Sequence, residues 1–258
     1  MSVINTNVKS LVASSTLAIN DRALSTAMEQ LSTGKRINSA KDDAAGMAIS
    51  SRMTAQIRGL DQAVRNSNDG ISLLQTADGA MEEVSNMLQR MRELKVQHST
   101  GTNGANDLTA LSSEFDELVL EITRINDETT WNGNAVFSDT DLDIQVGAND
   151  GNKITVKIDA IALDTADIDD VLTDIDGDID TINDQRAYLG AKINRLTYAA
   201  NNAMNISQNT SASRSRIMDT DYAKTSAELA RTQIVQQAAT AMLAQANQST
   251  QSVLALLK

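Results

Sequence analysis

The sequence predicts a mainly α-helical protein in which long antiparallel coiled-coil helices form a rod-like bundle, with one β-hairpin and a terminal two-helix coiled coil. Three observations predict this class. The 258 residues include no proline, which breaks helix interiors because it removes an amide donor and clashes with the preceding turn. Aromatic residues make up only 2% of the chain, so a thick globular core is not expected. Apolar residues instead recur at alternating steps of three and four, the spacing of a coiled-coil seam.

The two ends of the chain carry thin apolar stripes. The N-terminal stripe consists of Ile4, Val8, Leu11, Leu17, Leu24, Met28 and Leu31, and the C-terminal stripe of Val235, Ala239, Met242, Ala246, Ser249, Val253 and Leu256. Because neither stripe can be buried alone, we expect the two termini to pair. Their seam buries little area, whereas ordering each residue costs roughly 1–2 kcal/mol of backbone entropy. We therefore expect both ends to be frayed in the monomer and ordered by neighbouring chains.

Three segments between the ends carry fuller helical stripes. The first spans about residues 44–97 and the second residues 108–125, and a break rich in glycine and asparagine separates them. The third begins near Ala166, with Ile168 on its stripe, and continues past Tyr198. Segments of this length predict helices that run along a rod rather than around a globule.

The one region without a helical period lies between the second and third segments. Residues 142–146 and 154–158 alternate apolar and polar side chains, which is the period of a half-buried strand. A turn rich in glycine and asparagine at residues 147–152 joins them. The sequence therefore predicts a β-hairpin around residues 142–158.

These elements divide the chain into two predicted domains. Residues 1–44 with 217–258 form the terminal two-helix coiled coil. Residues 45–216 form a helical rod that carries the hairpin.

Composition excludes several classes of function. The net charge is −12, the wrong sign for a protein that holds nucleic acid through its phosphates, so no nucleic-acid partner is expected. No stretch approaches the ~18 apolar residues of a membrane span, so no membrane partner is expected. The first residues lack the continuous apolar region of a secretory signal peptide. If the protein leaves the cell, we expect export without a cleaved signal peptide.

The sequence also offers no catalytic or metal site. The chain has no cysteine and one histidine, His98, which excludes thiolate chemistry and any site that needs two imidazoles. No GxSxG nucleophile motif accompanies His98. The alternating aspartates of residues 174–180 fail the calcium-loop pattern, which requires a ligand at its first position and a glutamate at its last. We expect these aspartates on the solvated face of a helix, and we expect no enzymatic activity, cofactor or metal.

The end of the first long segment has the arrangement of a helix that contacts a partner. Arg90, Leu94 and Gln97 share one face of the predicted helix, because they are spaced at i, i+4 and i+7. Leu88 and Met91 lie on a second, apolar face. An exposed polar face is also common on ordinary helices, so this spacing alone leaves the choice open.

Specific motifs occur in order at both ends of the chain. In the N-terminal half they are INTN at residues 4–7, LSTGKRINSAKDDAAGMAI at 31–49, NDGISLLQTA at 68–77 and the run at 88–97. In the C-terminal half they are SRSRI at 213–217, DTDYA at 219–223, QIVQQ at 233–237, LAQANQ at 243–248 and VLALL at 253–257. On these motifs the chain resembles bacterial flagellin, the subunit of the flagellar filament, over essentially its full length.

The resemblance implies a structural, non-enzymatic subunit that self-assembles into the extracellular filament used for motility. Only about 30 residues separate the turn at Trp131 from the third long segment, which implies a short flagellin without variable outer domains. Flagellins are exported unfolded through the flagellar type III apparatus, and their partners include an export chaperone, the filament cap and the hook-junction proteins. The implied filament-core assembly seam consists of Ile4, Val8, Leu11, Leu24, Met28, Leu31, Val235, Met242, Val253, Leu254, Leu256 and Leu257.

The resemblance also implies recognition of the monomer by the animal toll-like receptor 5. The positions concerned fall on Gln89, Arg90, Leu94 and Glu114.

Three alternatives to flagellin remain at the level of sequence. The hook–filament junction protein has related terminal helices, although the motifs at residues 88–97 and 233–257 favour flagellin. A secreted helical enzyme is disfavoured by the single histidine and the absence of cysteine. A coiled-coil signalling segment would require a membrane anchor in the same chain.

Overall fold

The computed structural model describes residues 6–164, 167–169 and 172–255, with side chains described through residue 248. The described residues form five α-helices and four short strands, which confirms the predicted mainly helical class. In chain order these are α1 (Val8–Thr33), α2 (Ala44–His98), α3 (Ala105–Glu128), β1 (Thr130–Trp131), β2 (Asn134–Ala135), β3 (Asp141–Gln145), β4 (Lys153–Lys157), α4 (Leu172–Met218) and α5 (Tyr222–Ala255). Within the described ranges, no helix has the length and apolar character that crossing a membrane requires.

The Cα positions group into two units. The terminal unit comprises residues 1–55 with 210–258, and the central unit comprises residues 56–209. Helices α2 and α4 each continue through the division without a break. The sequence-based domain boundaries at 44 and 217 stay a prediction.

The central unit is built around large apolar side chains. Its fully buried residues lie on α2, α3, α4 and the hairpin, and they include Leu74, Met81, Val84, Leu88, Met91, Phe115, Ile122, Val156, Ile175, Leu189 and Leu196. Burying each such side chain contributes about 1.5–3 kcal/mol. Ion pairs join α2 to α4, where Arg186 Nε lies 2.9 Å from Asp78 Oδ1 and Arg92 Nε lies 2.6 Å from Asp176 Oδ1.

The predicted hairpin is confirmed as the antiparallel pair β3 and β4. Ile144 pairs with Ile154 in its register, and both side chains are buried. The hairpin packs closely on α2, because a Cβ added at Gly70 would lie 2.5 Å from Ile144 Cδ1 and one added at Gly59 would lie 2.9 Å from Ala148 Cβ. Glycine at these two positions therefore allows the strand pair to approach the helix.

The start of α4 differs from the sequence-based expectation. Ile168, which was placed on the helical stripe, lies in a turn before α4 begins at Leu172. Its side chain is buried, and its carbonyl oxygen accepts a hydrogen bond of 2.7 Å from Lys95 Nζ. Apolar spacing indicates that a residue is buried, whether or not it lies in a helix. The predicted helical stripe therefore included Ile168, which lies before the start of α4. Ala166, the expected start, lies outside the described residues.

The predicted pairing of the two chain ends is also confirmed. Helices α1 and α5 pack against each other in an antiparallel arrangement. We call these two helices the terminal pair.

Candidate functional site

The seam of the terminal pair consists mainly of small and polar side chains. Asn20, Ala27, Thr225 and Thr232 are buried along it. Asn20 Nδ2 donates a hydrogen bond of 2.8 Å to the carbonyl oxygen of Thr232, which satisfies an amide that would otherwise be costly to bury. Sequence reasoning missed Asn20 because it is polar, although it continues the alternating spacing between Leu17 and Leu24.

Two further hydrogen bonds join the helices along the same seam. Asn7, the N-cap of α1, accepts a hydrogen bond from the Ser10 amide and donates through Nδ2 to the carbonyl oxygen of Ala246 at 3.1 Å. Gln236 Nε2 donates to Asp21 Oδ1 at 3.0 Å. The order of these contacts along both helices fixes the antiparallel register.

Backbone hydrogen bonds hold together the two loops next to the terminal pair. The Arg36 amide donates to the Met218 carbonyl at 2.7 Å, and the Thr220 amide donates to the Gly34 carbonyl at 3.0 Å. The Arg36 guanidinium also donates to the Ile217 carbonyl, so this residue satisfies two carbonyls at the end of α4. We call this set of contacts the junction. It connects the segment that follows the C-terminal end of α1 to the segment that precedes the N-terminal end of α5.

Asp42 organises the turn that leads into α2. Its Oδ2 accepts hydrogen bonds from the amides of Asn38 and Ser39 and from the Ser39 hydroxyl, at 3.2, 2.9 and 3.0 Å. The bond from the Ser39 amide is the largest of the causes that lower the pKa of the Asp42 carboxyl. Hydrogen bonds therefore contribute more to this carboxylate's stabilisation than the charge of the neighbouring Lys41.

Part of the outer surface of the terminal pair is apolar. Val12 and Ile19 on α1 and Ile234 and Met242 on α5 are exposed. An open groove of about 760 Å³ follows the pair, and its walls include Val8, Val12, Ala13, Val235, Ala239 and Met242, with Lys9, Thr16 and Gln245 among the polar residues. Continuous exposed apolar patches on a protein mark interaction sites.

The predicted seam residues divide between the inside and the outside of the pair. Leu24, Leu31 and Val235 are half-buried, whereas Val8, Leu11, Met28 and Met242 are exposed. Met242 lies outside the buried seam between α1 and α5, where the half-buried side chain at this level is Leu243. The assignment of these residues to the assembly seam stays a prediction. Of the remaining members, Ile4, Leu256 and Leu257 lie outside the described residues, as do the side chains of Val253 and Leu254.

The region expected to contact a receptor has a cross-helix ion pair at its surface. Arg90 on α2 donates from Nη2 and Nε to Glu114 Oε1 on α3, at 2.8 and 2.9 Å. Arg90 also contacts Glu93 at 3.0 Å. These hydrogen bonds raise the pKa of the Arg90 guanidinium, with the bond to Glu114 the largest cause. Gln89 lies exposed beside them.

Leu94 does not share this exposed face, contrary to the sequence-based interpretation. Its side chain is fully buried in the central core together with Leu88 and Met91. The apolar stripe of α2 continues to Leu94 because a step of three follows Met91. Leu94 is therefore a core residue beneath the surface that Arg90 and Glu114 form.

The aspartates of residues 174–180 also differ in part from expectation. Asp178 is 5% exposed rather than solvated, and its Oδ1 accepts a hydrogen bond of 3.1 Å from the Asp164 amide. Asp176 remains at the surface, where the hydrogen bond from Arg92 lowers the pKa of its carboxyl. Across residues 6–164, 167–169 and 172–255, no group of three or more His, Cys, Asp or Glu side chains has the geometry of a metal site.

Both halves of the chain match known protein-family profiles. Residues 4–141 match the profile of the bacterial flagellin N-terminal helical region, and residues 172–257 match that of the C-terminal helical region. The chain belongs to the bacterial flagellin family. Only 30 residues lie between the two matches, so this flagellin is a short form without variable outer domains.

Full-length relatives support the assignment. The chain is 49% identical to a flagellin of Halalkalibacterium halodurans, over 99% of this chain and 100% of that one. It is 41% identical to a flagellin of Bacillus subtilis, over 99% of each chain. Among solved structures, the crystal structure of Bacillus cereus flagellin has 35% identity and a TM-score of 0.50, and it covers 54% of this chain and 88% of that one.

These relatives also establish the general function. The protein is a structural subunit of the flagellar filament, which is extracellular, and it polymerises with itself. These relatives are flagellins, and none favours the hook–filament junction protein.

Proposed function

We propose that this flagellin assembles through the outer apolar surface of the terminal pair, which a second copy of the chain covers. The observation that supports this most strongly is the groove of about 760 Å³ lined by Val8, Val12, Val235 and Met242. Water contact with such a surface is unfavourable, and its removal drives association.

The inner seam explains why assembly also stabilises the pair itself. Its buried residues, such as Ala27 and Thr232, contribute little apolar area, whereas ordering the backbone costs roughly 1–2 kcal/mol per residue. Of the large apolar side chains of the pair, several are only half-buried, such as Leu24 and Val235, and others, such as Val12 and Met242, are exposed. We therefore expect α1 and α5 to be frayed in the monomer and to become ordered when neighbouring subunits cover them.

Seeded polymerisation of two matched variants tests the assembly surface. Val12→Asp places a carboxylate on the groove wall, and Leu120→Asp places one at a residue of α3 with nearly equal exposure (60% against 62%). We expect Val12→Asp to slow elongation of filament fragments by about tenfold or more, because an unpaired charge is costly to bury. Leu120→Asp should elongate at a rate close to that of the unmodified chain. Equal elongation by both variants would contradict the proposal.

Deletion of residues 233–258 tests the separation of the two predicted domains. We expect the shortened chain to lose polymerisation, since it lacks most of α5 and one wall of the groove. The rod of residues 45–216 should keep its cooperative unfolding transition. Loss of helical circular dichroism well beyond the deleted segment would contradict the predicted division.

We propose that the chain reaches the filament unfolded, through the type III export apparatus and without a cleaved signal peptide. An export chaperone, the filament cap and the hook-junction proteins are the expected partners. The marginal inner seam of the terminal pair supports this route, because a frayed segment requires little work to thread. Mass spectrometry of filaments should find the N-terminal residues retained, whereas an N-terminus shortened by a signal-sized segment would contradict this route.

We propose that toll-like receptor 5 recognises the monomer through Gln89, Arg90 and Glu114, with Leu94 supporting them from the core. Arg90→Ala should weaken receptor binding while leaving the fold intact, since its side chain is at the surface. Arg124→Ala removes a comparable surface ion pair elsewhere on α3 and should leave binding unchanged. Equal effects of the two variants would contradict this contact region.

We also propose that the chain has no enzymatic activity. The flagellin family is a structural protein family, and the side chain most suited to acid–base chemistry, His98, is the last residue of α2. Purified filaments should therefore lack hydrolase activity on ester and peptide substrates. A co-purifying activity that His98→Ala abolishes would contradict this proposal.

A further inference from the structure

Met242 differs in its surroundings from the other methionines that the structure describes. Its side chain is 65% exposed, and it forms part of the apolar groove with Val8 and Val235. Met81 and Met91 are fully buried in the central unit, whereas Met28 on α1 and Met204 on α4 are each 49% exposed and lie outside the groove. Met242 thus combines access to solvent with a place on the proposed assembly surface.

Exposure determines which methionines a peroxide can reach. The thioether sulfur attacks one peroxide oxygen, so an S–O bond forms, the O–O bond breaks and the other oxygen leaves as water. The sulfur loses two electrons and the peroxide gains them. The product is a sulfoxide, a polar group that sulfoxide reductases can convert back to methionine.

We propose that Met242 is an oxidation-sensitive site, and that its conversion to the sulfoxide by hydrogen peroxide blocks addition of the subunit to a filament. This inference rests on the proposed role of the groove in assembly. A methionine side chain is flexible and apolar and fits readily into an interface. The sulfoxide oxygen is a strong acceptor, and its burial among valine and alanine side chains is unfavourable without a donor.

The position of Met242 in the groove restricts its oxidation to subunits that have not yet joined a filament. In the filament a neighbouring copy covers the groove, so Met242 is shielded from peroxide there. Met204 lies on the other unit and provides an internal comparison in the same chain. Brief peroxide treatment should therefore oxidise Met242 in monomers more than in filaments.

Peroxide treatment of the full chain followed by seeded elongation tests the proposal. Mass spectrometry first measures the sulfoxide at Met242 and Met204. We expect oxidised monomers to elongate filament fragments about tenfold or more slowly than untreated ones. Met242→Leu should keep normal elongation after the same treatment, whereas Met204→Leu should remain as sensitive as the unmodified chain.

A second pair of variants removes the dependence on oxidation. Met242→Gln introduces a neutral polar group of similar length and should slow elongation, while Met204→Gln should not. Normal elongation of chains with verified Met242 sulfoxide would overturn the proposal, and so would sensitivity that Met242→Leu fails to remove. If untreated chain does not elongate filament fragments at all, the proposed function itself fails. Failure of the proposed function is distinguishable from failure of the oxidation proposal, because it is seen in chain that has not been treated with peroxide.

Discussion

The two units of the molecule share one sequence period but bury different side chains along it. The core of the central unit consists of residues such as Leu74, Met81 and Phe115, all fully buried. The seam of the terminal pair consists of residues such as Asn20 and Thr232, while its large apolar side chains are half-buried or exposed. The comparison shows that helical spacing predicts which face is apolar, whereas side-chain size determines whether that face is completed within one chain.

The largest expected effect comes from truncating the central core. Phe115→Ala should lower the free energy of unfolding by about 3–5 kcal/mol, because it removes a fully buried ring and leaves a cavity. Urea denaturation monitored by circular dichroism measures this. Leu120→Ala on the same helix is the control, and because that residue is 62% exposed its effect should stay within about 0.5 kcal/mol. Similar losses for both would show that the central unit is not the stable part of the molecule.

A smaller effect should follow from a change at the junction. Gly34 has a φ of 69°, and an added Cβ would lie 3.0 Å from the Tyr222 hydroxyl. Gly34→Ala should therefore destabilise the terminal pair by about 1–2 kcal/mol. Gly79 lies within α2, and an added Cβ there would meet no atom within 4 Å.

Gly79→Ala is thus the matched control, and its expected effect on the free energy of unfolding has the opposite sign. It should raise the free energy of unfolding by roughly 0.5–1 kcal/mol, because alanine has the higher helix propensity. Denaturation curves of the two variants, recorded side by side, distinguish a conformational requirement at Gly34 from a general effect of adding a methyl group.

Acid should loosen the turn that leads into α2. The hydrogen bonds to Asp42 lower the pKa of its carboxyl in the folded chain, so the carboxylate stabilises the turn above the unfolded value of about 3.9. This contribution is lost as the pH falls through the lower, folded pKa. In NMR titrations the amide resonances of Asn38 and Ser39 should shift with a midpoint below that value. Persistence of the same titration in Asp42→Asn would exclude Asp42 as its source.

The smallest expected effect belongs to the surface ion pair of Arg90 and Glu114. A double-mutant cycle with alanine at both positions should give only a small coupling free energy, because both side chains are about half exposed and solvent screens their charges. Leu94→Ala should cost about 2–5 kcal/mol instead. A Leu94 variant can therefore lose receptor binding because it is partly unfolded. Its binding should be compared with that of the unmodified chain at the same concentration of folded protein. A coupling free energy as large as the loss from Leu94→Ala would show that the Arg90–Glu114 pair behaves as a buried ion pair.

Periodicity predicted the helices, the hairpin and the pairing of the chain ends because these depend on local spacing. It did not predict the burial of Asp178 or the exposure of Met242, because these depend on which neighbouring element covers a given flank of a helix. Leu94 was instead assigned to the wrong face, although its step of three from Met91 continues the apolar stripe. Asn20 was missed because a seam was expected to be apolar, whereas its amide is satisfied by a backbone carbonyl on α5.

Hydrogen–deuterium exchange of monomer and filament tests the central claim most directly. The terminal pair should exchange rapidly in the monomer and slowly in the filament, because neighbouring copies cover its outer surface. Amides around Leu88, Phe115 and Leu189 should be protected in both states, since the central core is complete within one chain. Protection of α1 and α5 in the monomer equal to that of the central core would contradict the claim.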